Sequence, residues 1–197
     1  MTKIIISLSF VFLALTSFCQ QKNYANSIKA YQQNYVKTHE VVKAKQKKYF
    51  RFFPVDKKYK LNARFEKIFD TAVTVMKTSG IKLKDFYRYG YLHFVLDNKP
   101  FRLTLYQSIA LKDKKGFEEY LFLPFTDATS GEECYGGGRY IDFKLSEIIN
   151  NILELDFNKA YNPYCAYTTG YNCPIPPREN DLPVAIKAGE KNFGHKH

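Results

Sequence analysis

From Tyr59 onward the chain alternates apolar and polar residues with a period of two, and this rhythm restricts its fold more than any other feature. Tyr59, Leu61, Ala63 and Phe65 interleave with Lys60, Asn62, Arg64 and Glu66, the pattern of a strand that turns one face to a core. Val73 and Val75 carry the pattern on. In the long segment from Phe86 to Leu96, the residues Leu92, Phe94 and Leu96 oppose Tyr87, Tyr89 and Tyr91. Asp97-Asn98-Lys99-Pro100 supplies turn chemistry before Phe101, Leu103 and Leu105 resume the alternation, which predicts a hairpin over 86–106. Further strands are expected at Tyr120–Phe125, Arg139–Leu145 and Ile152–Phe157, with Pro124 marking an edge or a bend. Strands do not alternate with helices, which disfavours a parallel α/β fold. The expectation is a mainly β protein, an antiparallel sandwich or squat barrel, with one N-terminal helix and a long C-terminal loop system.

That helix is read over 23–37. Tyr24, Ile28, Tyr31 and Tyr35 recur at spacings of 4, 3 and 4, so they share one stripe, best used as a docking face for the core. A basic connector, Lys43 to Lys48, follows and ends in Tyr49-Phe50-Arg51-Phe52-Phe53-Pro54, which is expected to tuck its rings against the body. Tyr and Phe number 16 and 17 while Trp is absent, so aromatic rings must supply much of the interior.

The opening MTKIIISLSFVFLALTSFCQQ has the form of a secretory leader: a single Lys3, then an apolar run too short to span a bilayer comfortably. Ser17 and Cys19 fit a cut before Gln20. The expectation is therefore cleavage of residues 1–19 and release of one β-rich domain, 20–197, into the periplasm. The alternative is lipid anchoring at Cys19. No later segment is long and apolar enough to be read as transmembrane.

Charge is placed unevenly. Residues 20–67 carry 13 Lys and Arg against 3 Asp and Glu, whereas residues 68–197 carry 16 of each. No nucleic-acid motif accompanies the basic quarter, and export argues against such a partner. Lys43, Lys45, Lys47 and Lys48 are read either as a solvated face or as a peripheral contact with an anionic envelope surface.

Polar chemistry gathers between Leu123 and Lys191. Of the three cysteines that remain after leader removal, Cys165 and Cys173 flank a loop that can reverse at Thr-Thr-Gly. An oxidising compartment favours their disulfide, which in the chain-entropy model contributes about 2.5 kcal/mol. Pairing of Cys134 with either is the alternative. The spacing does not fit common zinc sites, and neither a metal nor a cofactor is expected. Gly136-Gly137-Gly138 lacks the strand–loop–helix context of a phosphate loop and reads as turn chemistry. Arg139 suits either bidentate anion recognition or an ion pair with Asp127 or Asp156 that ties loop to sheet. Asp127, Arg139, Asp156, Asn158, Asn162, Glu179, Asn180 and Glu190 form the candidate ligand-binding set. Two of the acids in one cleft could divide acid and base work, whereas separate pairing of each would make the set a brace.

The segments LPFTDATSGEECYGGGRYIDF, LDFNKAYNPYCAYTTGYNCPIPPREN and LPVAIKAGEK together resemble the uncharacterised family known as domain of unknown function 1684. The agreement is strongest over residues 118–191 and extends more loosely upstream through FFPVD and the strand at 59–66. The chain resembles a short member, without the tryptophan-containing N-terminal portion of longer ones. The resemblance implies no activity. Two functional expectations follow from the residues: a non-catalytic domain that binds a small polar ligand or an envelope component, or a hydrolase-like enzyme with a carboxylate pair and an arginine anchor.

Overall fold

The computed structural model describes residues 22–70 and 72–195. The expected leader, with Cys19, lies outside them. Helix α1 (22–38) uses its stripe as the spacing predicts. Ile28 is buried, Tyr24 donates to Asp156 at 2.9 Å, and the Tyr35 and Tyr167 hydroxyls meet at 3.0 Å. The basic connector is a 3-10 turn, Ala44–Tyr49, with no buried residue. Beyond it, Phe50 packs with Tyr167 and Phe193.

Eight strands follow: β1 Lys60–Lys67, β2 Val73–Met76, β3 Lys84–Leu96, β4 Lys99–Ser108, β5 Tyr120–Asp127, β6 Arg139–Lys144, β7 Ile152–Asp156 and β8 Asp181–Leu182. They form one sheet in the order β6-β5-β4-β3-β1-β7, with β2 on β3 and β8 on β5. All pairs are antiparallel except the two-residue β8. The sheet curls into a half-barrel. Leu153 and Leu155 from one end and Ile141 and Phe143 from the other join a single cluster with Leu92, Leu103 and Leu123. Leu182, Ile186 and Ala188 of the C-terminal segment cover that cluster.

The β3–β4 hairpin turns at Asp97 and Asn98, with φ of 49° and 60°. Asx side chains tolerate this left-handed region, and the two-residue turn matches the twist of the flanking strands. Lower in the hairpin, register shifts between Arg88 and Gly90. The extra residue exchanges the faces of β3, since it breaks the period of two. Leu92, Phe94 and Leu96 therefore face the main core, while Phe86 joins Met76, Tyr106, Phe122 and Tyr140 on the opposite side. Gly90 has no substitute at this kink, because a Cβ there would lie 2.2 Å from the Phe65 ring.

The β4–β5 seam pairs only at Tyr106 and Phe122. Pro124 has no N–H to donate, and Asn180 fills the gap. Its side chain accepts from Thr104 N at 2.7 Å and donates to the carbonyls of Thr104 and Pro124 at 2.8 and 2.7 Å.

Candidate functional site

The eight residues singled out from sequence occupy three separate places. The first is at the junction of β5, β6 and the tail. Arg139, wholly buried, donates to Asp127 Oδ2 at 2.7 Å, to the Ile186 carbonyl at 2.8 Å, and to the carbonyls of Ala188 and Glu190. Asp127 Oδ1 accepts from the backbone and hydroxyl of Thr129 and from Ile186 N. Glu190 lies beside this brace. Its carboxylate accepts from Asn162 N at 2.9 Å and from the Tyr167 hydroxyl at 2.7 Å, and the Asn162 amide donates to the Lys191 carbonyl. Burial pushes the Glu190 carboxyl up to about 7, against the pull of these hydrogen bonds.

The second place is under α1. Asp156 accepts from Tyr24 and from the backbone and amide of Asn158, and Asn158 in turn ties to the Asp56 backbone. The third is on the outer face of the sheet. Glu179 accepts from the Tyr106 hydroxyl and pairs with Arg88 at 2.6 Å, next to the Asn180 clamp. Seven of the eight are at most 4% exposed, Glu179 being the exception, and none lines the cavity described next. Each of the four acids thus has its own partners. Buried polar groups so satisfied specify structure rather than wait for a ligand.

Open space lies elsewhere. A cavity of about 1030 Å³ sits on the side of the sheet away from the main core. The pleat explains its lining. Phe122 stands opposite Asp142, so Tyr120, Phe122, Tyr140 and Asp142 face it while Leu121, Leu123, Ile141 and Phe143 face the core. Tyr31 and Tyr35 of α1 and Tyr161 of the segment after β7 form a second wall, and Gly170–Pro174 a third. Cys165 and Cys173 form the expected disulfide, which staples the loop that makes this third wall. Cys134 stays free and buried.

Asp142 is the ionisable group on the cavity's aromatic floor. Tyr120 donates to one carboxyl oxygen at 2.9 Å and Tyr161 to the other at 2.7 Å. Solvent reaches it through the mouth, but the surrounding walls raise its pKa by desolvation, with the two phenols pulling the other way. Among the described residues no Lys, Arg or His is ion-paired with it. Phe122 meets the Tyr140 ring edge-on at 4.7 Å, and Phe86 stacks on Phe122 at 5.6 Å. Deeper along the α1 side, His39 accepts from Val42 N through Nδ1 at 3.2 Å. Its Nε2 therefore carries the proton and has no partner. Burial, aided by nearby Lys47, lowers its pKa to about 4, so the ring is neutral.

Sequence reasoning did not find Asp142. The available signal was a lone acid at Asp142 in Tyr140-Ile141-Asp142-Phe143, on the face opposite the apolar Ile141 and Phe143 and so level with Tyr140. The groups that reach over it, Tyr120 and Tyr161, lie 22 and 19 residues away.

The described residues contain no cluster of His, Cys, Asp and Glu suited to a metal ion, and no helix among them is long and apolar enough to cross a membrane. No curated protein matches the chain significantly. A solution structure of an uncharacterised protein from Haloarcula marismortui is similar, with a TM-score of 0.65 and 26% identity over 87% of this chain and 96% of that one. The family model described as protein of unknown function (DUF1684) matches residues 45–191, three-quarters of the sequence, and the chain belongs to that family.

Proposed function

We propose that this protein is an exported, non-catalytic binder of a small ligand, and that the ligand occupies the aromatic cavity floored by Asp142. One observation carries the reading. The buried Arg139–Asp127 pair is bonded inside the protein, with the Arg139 Nε unpartnered but away from the cavity, whereas Asp142 is held in place by two phenols and faces open space. Ligand sites combine a concave, mostly apolar wall with a few fixed polar groups, in volumes of roughly 300–1,000 Å³. The separate partnering of Asp127, Asp156, Glu179 and Glu190 supports binding over two-carboxylate hydrolysis, which needs two acids on one reacting centre. Residence in the periplasm, with Lys43, Lys45, Lys47 and Lys48 resting on an anionic envelope surface, belongs to the same proposal. Lys43, Lys45 and Lys48 are exposed on the connector.

A fragment screen followed by amide chemical shifts of the ¹⁵N-labelled protein tests it. Binding should move the signals of Tyr120, Phe122, Tyr140, Asp142 and Tyr161, and the fragments should be recovered unchanged. Hits that map instead to Asp127, Arg139 and Glu190, or fragments that are turned over, would overturn the reading.

A further inference from the structure

We infer that the ligand is an organic monocation, an aromatic or alkyl ammonium whose charged nitrogen sits against Asp142; this rests on the cavity being the binding site. The direction of the hydroxyl protons carries the argument. Tyr120 and Tyr161 spend theirs on Asp142, Tyr140 spends its own on the Pro174 carbonyl, and Tyr31 on the Lys159 carbonyl at 3.4 Å. A phenol that has donated leaves only its oxygen lone pairs to offer. The floor therefore presents carboxylate oxygens, phenol oxygens and ring faces, all of them acceptors or negative in potential.

That surface selects by charge. Ring faces attract a cation and repel an anion through their quadrupole. A carboxylate in a walled cavity that lacks a cationic partner gains most from a ligand that brings one. A metal ion fits poorly, since one carboxylate with phenols gives too few strong oxygen ligands. An ammonium with an apolar body fits both halves of the site. Its charge meets Asp142, and its body lies along Phe86 and Phe122. Among the other lining residues, Lys82 and Lys84 are matched in number by Glu40 and Asp85.

Three soluble probes on one scaffold decide the matter: phenethylammonium, 2-phenylethanol and phenylacetate, each titrated into the ¹⁵N-labelled protein at pH 7.5. The ammonium should bind at least about tenfold tighter than the alcohol, and the acetate weakest. Asp142→Asn removes the charge and keeps the shape, although the phenol that faces Nδ2 must then accept rather than donate; it should bring the ammonium down to the level of the alcohol. The wild-type contrast stands without any variant, so a misfolded Asp142→Asn does not rescue the idea. Equal affinity for ammonium and alcohol, or preference for the acetate, overturns the charge selection and leaves the cavity as a neutral or anion site. Silence of all three at the Tyr120, Asp142 and Tyr161 amides overturns the inference and counts against the cavity reading itself.

Discussion

Two carboxylates on the same half-barrel, Asp127 and Asp142, meet opposite fates. Asp127 ends β5 on the core side, where a guanidinium, a hydroxyl and two backbone N–H groups satisfy it completely. Asp142 stands in β6 on the other side, held by two neutral phenols with no cation alongside. A buried charge with every partner supplied costs desolvation but fixes the tail onto the sheet. Asp142, exposed to solvent and oriented without a counter-ion, is the ground of the proposed binding reading. Burial or acidity alone does not distinguish brace from site; the identity of the partner does.

Arg139→Met should have the largest effect, because it strands Asp127 and frees three tail carbonyls. A loss of about 3–5 kcal/mol in urea unfolding is expected; a change below about 1 kcal/mol would remove the contrast. Glu190 comes next. Its carboxyl is raised from the usual 4.5 to about 7 by burial, so the folded state holds the proton more tightly than the unfolded one. Stability from this group is full below pH 4.5, falls as pH rises to 7, and levels off above, a span of roughly 3 kcal/mol. Tyr35, Tyr167 and Asn162 face the carboxylate, and Cys134 and Arg139 contact its backbone carbonyl. Denaturation midpoints of Glu190→Gln across pH 4 to 8 should lack that part of the slope. Replacing Cys165 and Cys173 together by Ala should cost about 2.5 kcal/mol and, since the loop walls the cavity, weaken phenethylammonium binding as well. The smallest stability effect belongs to Asp142→Asn, within about 1 kcal/mol in the same assay. If it matched Arg139→Met in cost, Asp142 would be a second brace.

The scaffold was legible because its determinants are local. The alternation at 59–66, the turn residues Asp97 and Asn98, and the aromatic stripe of α1 each act within a few positions of themselves. Arg139 with Asp127 was legible as a pair, since only 12 residues separate them. The dispersal of Asp156, Glu179 and Glu190 to three separate places was not legible, because it depends on where Tyr24, Tyr106 and Tyr167 approach from distant segments. The cavity was hidden for the same reason. Its floor comes from residues of β3, β5 and β6, one wall from α1, and another from the disulfide loop. The bulge at Tyr89, which decides whether Phe86 faces inward or outward, leaves no mark in the hydrophobic rhythm beyond the glycine at 90.

Strand β6 carries one further implication. Arg139 and Asp142 lie three positions apart, an odd interval, and so project to opposite sides of a single ribbon. Adding or deleting one amino acid between them would send one charge to the wrong surface, robbing either the tail anchor or the cavity floor. The length of the ribbon between the two positions therefore has no freedom to drift while both groups keep their places.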